Sequence, residues 1–144
     1  MKYIYGFNST RHVYFVTVQK RSHLPGEEEK GYITRLARVC ITDPNYKTYT
    51  EVTLECTASN GKQYNLAKDA FFTQDSQVLS SIYGRGGQGG RGSSTDSFLV
   101  GSFGSATGSS TRTGNSSAVC VFSLSHIEKV RKTKTEHIYI HKNS

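Results

Sequence analysis

Tryptophan is absent from this chain, methionine occurs once and proline twice. Only 35% of the 144 residues are apolar, and the mean hydropathy is −0.51. That composition excludes a large multi-layered core, and the length accommodates one domain. No run of 18 apolar residues exists, so no membrane-spanning helix is expected. Residues 1–20 lack a charged start followed by an apolar stretch, so no secretion signal is expected either. There is no Cys-x-x-Cys pair, which removes zinc knuckles and thioredoxin-type sites. Gly-x-Ser-x-Gly, His-Glu-x-x-His and a P-loop are missing, as is a Gly-x-Gly-x-x-Gly following a strand. An enzyme is therefore not expected, no cofactor is implied, and the Asp and Glu residues fall mostly in turns or on one polar strand face.

What the chain does have is aromatic bulk, with nine Tyr and seven Phe, and a formal charge of +7. Abundant aromatic and β-branched residues argue against disorder. The segment Val13-Tyr14-Phe15-Val16-Thr17-Val18 is apolar on both alternating faces, as in a strand covered on both sides. Pro25-Gly26 and the charges through Lys30 mark an exposed turn. Tyr32 to Ile41 resumes as a second strand, giving a hairpin. After the turn Asp43-Pro44-Asn45-Tyr46, residues 49–56 alternate: Val52, Leu54 and Cys56 one way, Glu51, Thr53 and Glu55 the other. That pattern predicts a half-exposed outer strand. Three strands joined by turns predict an antiparallel meander. Leu66, Ala67, Ala70 and Phe71 have the spacing of a short helical turn, with a bent strand as the alternative. Residues 84–94 and 104–117 are rich in Gly and Ser and are expected to be loops. Phe98–Phe103 and Ala118–Leu124 between and after them are strand-like.

This ordered series is similar to the sema domain of plexins. The segments that carry the resemblance are Val13–Gln19, Thr34–Cys40, the Asp43-Pro44-Asn45-Tyr46 turn leading to Glu51–Cys56, Tyr64–Phe71 and Ser117–Leu124. They extend over roughly residues 3–127. The turn that leads to Leu54-Glu55-Cys56 points to plexins over semaphorins and over the hepatocyte-growth-factor-receptor type of sema receptor. The resemblance implies an all-β fold: about two blades, built as antiparallel meanders, of a seven-bladed sema-type β-propeller. It implies residues 1–127 as a partial sema domain and residues 128–144 as a basic tail outside it. It implies a fragment of a cell-surface semaphorin receptor active in axon guidance, extracellular in the full-length family member. The partners implied are a semaphorin and, for the full-length receptor, a second copy. Neither nucleic acid nor membrane contact is implied for this segment. It further implies a disulfide between Cys56 and Cys120, and Cys40 as half of a bridge whose partner lies outside the chain. Two blades cut from a ring expose strand edges, so the chain alone is expected to be marginally stable.

Other features of the chain point to other chemistry. Asn8-Ser9-Thr10 and Asn115-Ser116-Ser117 have the N-glycosylation pattern, which occurs often by chance. Asn8 and Asn115 are thus candidate glycan sites. His137 and His141 could share a strand face, but two imidazoles without a carboxylate or thiolate make a poor metal site, and no metal is expected. Arg85-Gly86-Gly87 and Gly90-Arg91-Gly92, with the basic charge, would suit a cytoplasmic nucleic-acid-binding protein. Only two arginines and no aromatic occupy that tract, so a surface loop is the expectation there.

Overall fold

A computed structural model describes residues 1–74, 97–132 and 137–142 of the chain. Among the described residues eight strands form two sheets, accompanied by one α-helix and a short 3-10 turn (Glu28–Lys30). The first sheet begins with β1 (Lys2–Asn8), β2 (His12–Lys20), β3 (Tyr32–Cys40) and β4 (Thr50–Ala58). The second holds β5 (Leu66–Thr73), β6 (Phe98–Ala106) and β7 (Thr113–Ser123). Helix α1 (Leu124–Lys132) follows, and β8 (His137–Lys142) returns to the first sheet. The orders are β1-β2-β3-β4-β8 and β5-β6-β7. All neighbours are antiparallel except β4 and β8, which run parallel from Thr53 opposite His137 to Ala58 opposite Lys142.

The hairpin expected from the apolar run of β2 is present in full register, from His12 opposite Cys40 to Lys20 opposite Tyr32. Tyr14, Val16 and Val18 face the core, and Thr17 and Gln19 are buried on the other face. Strand β1 escaped the sequence reading for a physical reason. Its pairing with β2 shifts between Tyr3 and Tyr5, and the extra residue, Ile4, breaks the alternation a strand would show. The same event explains the ambiguous segment after Tyr64. It is a strand whose pairing with β6 shifts between Ala67 and Asp69. With Lys68 as the extra residue, Leu66 and Ala67 are both buried, Lys68 and Asp69 both exposed, and Ala70 buried again. A bulge thus produces helix-like spacing in a bent strand.

Two further expectations are corrected. Residues 104–117 are largely a hairpin rather than a loop: β6 runs through Ala106 and β7 starts at Thr113, with a register shift between Gly104 and Ala106 and a turn between the strands. Gly104 makes this possible, because a Cβ there would lie 2.7 Å from Thr113 Cβ. Strand β4 does not present its polar face to water either. Thr53 and Glu55 are buried along with Val52, Leu54 and Cys56, in the stretch where β8 runs beside them.

The sheets pack face to face around one core that includes Tyr14, Leu36, Leu54, Leu99, Phe103 and Phe122. Phe7 stacks between Tyr14 of its own sheet and Phe72 of the other, with centroids 4.7 and 4.5 Å away. The Thr34 hydroxyl donates to the Asn65 carbonyl (2.8 Å) and accepts from the Ala67 amide (2.9 Å). That pair of bonds satisfies backbone groups where the chain crosses from one sheet to the next.

Candidate recognition site

The two sheets form a frame, and what the frame can do depends on how it is fastened and what it projects. Cys56 on β4 and Cys120 on β7 are fully buried and bonded to each other, with Cα atoms 5.9 Å apart. This bridge crosses the seam between the sheets. Cys40, at the end of β3, is free and half-buried, and its amide donates to Thr48 Oγ1 (3.0 Å). Asn8 closes β1 and Asn115 lies in β7; both are exposed.

A second fastening was not legible in the sequence. Helix α1 carries Ile127, fully buried, and Glu128. The Glu128 carboxylate accepts from the Tyr14 hydroxyl (3.1 Å), pairs with Arg38, and lies 3.4 Å from Arg131 Nε. Arg131, with a side chain only 4% exposed, donates to the Leu36 carbonyl (3.0 Å) and to Thr50 Oγ1 (2.7 Å). One carboxylate therefore serves two guanidinium groups and a phenol. Burial, followed by the Glu128 charge, pushes the Tyr14 hydroxyl above its ordinary value, which keeps it a neutral donor. Burial pulls Arg131 below its ordinary value, with Glu128 opposing the shift. Burial and then the Arg38 charge lower His12 in the same neighbourhood. The expected domain end at residue 127 falls inside this helix, and the contacts of the first sheet continue past it. The signal was out of reach, because Arg38 and Glu128 are 90 residues apart.

A third polar group sits on the opposite face of the first sheet. Glu51 accepts from Gln19 (3.1 Å), Arg35 (3.2 Å) and Tyr49 (2.5 Å). Burial raises the Glu51 carboxyl, but the three donors outweigh it and hold it below the usual carboxylate value. Tyr49 is pushed up to about 12 by burial and by its bond to Glu51.

The projecting elements are loops. Between β3 and β4 the Asp43 carboxylate accepts from the Asn45 amide (3.2 Å), the Thr48 amide (2.6 Å) and the Thr48 hydroxyl (2.7 Å). These bonds hold Asp43 below its ordinary value, the Thr48 hydroxyl bond foremost. They tie off a tight loop with Tyr46 at its tip, 68% exposed and at φ 56°. No other non-glycine among the described residues has a positive φ. Arg11 lies beside this loop, since its carbonyl accepts from the Ile41 amide (2.9 Å). Between β2 and β3, Glu27 pairs with Lys30 (2.8 Å) and accepts from Ser22.

No group of three His, Cys, Asp or Glu that could hold a metal occurs among the described residues. His137 and His141 occupy register positions opposite Thr53 and Thr57. The Gly/Arg tract at 84–94 lies outside the described residues. Among the described residues no helix is long and apolar enough to cross a membrane.

Comparison with known proteins agrees with the fold. No family model matches the chain. Curated relatives do: the chain is 29% identical to Plexin-A4 of Mus musculus over 140 residues, covering 95% of the chain and 7% of that protein. It is 30% identical to Plexin-A4 of Danio rerio over 148 residues, again 95% of the chain and 7% of the relative. The chain thus spans about 7% of the length of the curated relatives it matches. Among solved structures it matches the plexin A4 full extracellular region, domains 1 to 8, with a TM-score of 0.72 and 30% identity, covering 91% of this chain and 13% of that one. The form with domains 1 to 10 gives the same score, with 11% of that chain covered. The all-β, largely antiparallel fold is that of part of a sema-type propeller.

Proposed function

We propose, on the premise that this chain is a plexin-family segment of the extracellular type, that it is the ligand-recognising part of a cell-surface semaphorin receptor. The reading rests on protein recognition by loops set on a rigid frame. The observation that carries it is Tyr46. A left-handed backbone costs a non-glycine residue about 1 kcal/mol. A side chain left in solvent at that position recovers none of it by packing. An exposed tyrosine held this way is the kind of rigid aromatic anchor that dominates interfaces, and Arg11 and Lys47 beside it would favour an acidic partner surface.

In this reading residues 1–127 supply the sema-type strands, and Glu128 and Arg131 together with β8 fasten them from the side. Signalling in axon guidance and a homodimer belong to the full-length receptor. The segment lies outside the cell, where the Cys56–Cys120 bridge persists. Cys40 bonds a cysteine beyond this chain, and Asn8 and Asn115, both exposed, carry glycans.

The test is surface plasmon resonance of the disulfide-bonded chain over immobilised semaphorin ectodomains. Binding to at least one is expected, and Y46A is expected to weaken it about tenfold or more with an unchanged melting midpoint. Absence of binding across all of them would overturn the receptor reading. Equal affinity for Y46A would remove Tyr46 from the interface. Secretory expression followed by peptide mass mapping should find sugar at Asn8 and Asn115, and bare asparagines would refute that part.

A further inference from the structure

We propose that the cleft between the edge strands β1 and β5 binds a carboxylate, and that its occupant is an acidic side chain of a peptide segment. The cleft measures about 440 Å³, within the range of ligand-sized sites. Lys2, Lys68, Thr111 and Thr113 line it with Tyr32, over an apolar floor that includes Leu66. Among the described residues no Asp or Glu contributes to its walls. Asp69, next along the chain from Lys68, accepts from the Ala70 amide (2.8 Å), and Glu27 pairs with Lys30. Neither Lys2 nor Lys68 has an ion-pair partner among the described residues.

Two features distinguish this cleft from an ordinary basic surface. Lys68 is the bulge residue of β5, and a bulge re-aims the side chain it carries. The re-aimed chain lies against bare backbone, because a Cβ on Gly104 would stand 2.8 Å from Lys68 Cε and 2.7 Å from Thr113 Cβ. Only glycine at 104 lets the lysine stem and the threonine close on the sheet together. The lysine stem thereby seats against the sheet at its Cε, which lowers the ordering cost of gripping an anion. The hydroxyls of Thr111 and Thr113 add neutral donors. The floor of Leu66 and Val18 matches the short apolar stem of a glutamate rather than a bare inorganic ion. This site lies at the opposite end of β2 and β3 from the Tyr46 loop, as the pairings of Val18 with Lys2 and of His12 with Cys40 require. It does not depend on the semaphorin reading.

The test is a titration of the ¹⁵N-labelled 144-residue chain with a capped tetraglutamate peptide, followed by amide shifts. Saturable shifts clustered at Lys2, Tyr32, Lys68, Thr111 and Thr113 are expected. K68Q should weaken binding about fivefold, the scale of one exposed ion pair. G104A keeps both lysines and should weaken it comparably by displacing the Lys68 stem and Thr113. K129Q on helix α1, whose contacts lie at the Tyr14 end of β2 and away from the cleft, should leave affinity unchanged. Glutarate should bind about fivefold more weakly than the peptide. Shifts spread evenly over the +7 surface, or wild-type affinity in K68Q, would overturn the site. Equal binding of glutarate would overturn the peptide as occupant. If G104A does not fold, the double variant K2Q/K68Q decides, and unchanged affinity there is equally fatal.

Discussion

The bridge between the two sheets and the ionic cluster that holds α1 to the first sheet are fastenings of opposite kind. Where β4 meets β7, two buried sulfurs are joined by a covalent bond amid apolar neighbours. Where α1 crosses β2, β3 and β4, a single carboxylate gathers Tyr14, Arg38 and Arg131. The bridge acts largely on the unfolded chain, by limiting its freedom across 64 positions. The ionic cluster acts only in the folded state and depends on every partner being present. The comparison teaches that the two fail differently: the first under reducing conditions, the second when any one of its charges is removed.

The largest expected effect comes from breaking the covalent side. The double variant C56S/C120S should lose about 4 kcal/mol of unfolding free energy by the chain-entropy model, read as a shifted urea midpoint. A change under about 1 kcal/mol would mean that the unfolded chain is already restricted. Next is E128A, which leaves Arg38 and Arg131 without their carboxylate. Because these side chains retain some solvent contact, a loss of about 2–3 kcal/mol is expected, toward the lower end for a broken buried pair. E128Q, which keeps the hydrogen bond from Tyr14, should recover part of it, and equal losses would show that charge alone matters. The smallest effect concerns the Glu51 group on the far face. Its carboxyl is lowered in the folded state, so its contribution is complete above the ordinary value of 4.5 and fades as pH falls through the lower folded value. Denaturant midpoints at pH 7 and pH 3 should differ less in E51Q than in the parent. An identical acid dependence in both would exclude Glu51 as a source.

Much of the fold was legible because strands announce themselves by local pattern. The apolar run of β2 and the turn at Asp43–Tyr46 identified the hairpin and the meander, and the order of segments identified the plexin likeness. In two strands a single extra residue obscured the pattern. Ile4 and Lys68 each add one residue to a strand and reverse its phase, hiding β1 and giving β5 a helical look. The Gly and Ser content of residues 104–117 made them read as loop, although the missing side chain of Gly104 is what lets the hairpin close. The loop bearing Tyr46 was visible as a turn, but its backbone angle was not. The Glu128 cluster was invisible, since its members come from β2, β3 and α1 and no spacing rule connects them.

Sequence alone determined the class of the fold, the order of its main strands and the family resemblance, because alternation, turn residues and segment order are properties of neighbours along the chain. Tertiary structure decided that Glu128 and Arg131 fasten the first sheet, that β8 runs parallel to β4, and that Lys68 faces Lys2 across a cleft. Those are relations between residues tens of positions apart, fixed by how two sheets pack and by which charges the packing leaves no other partner.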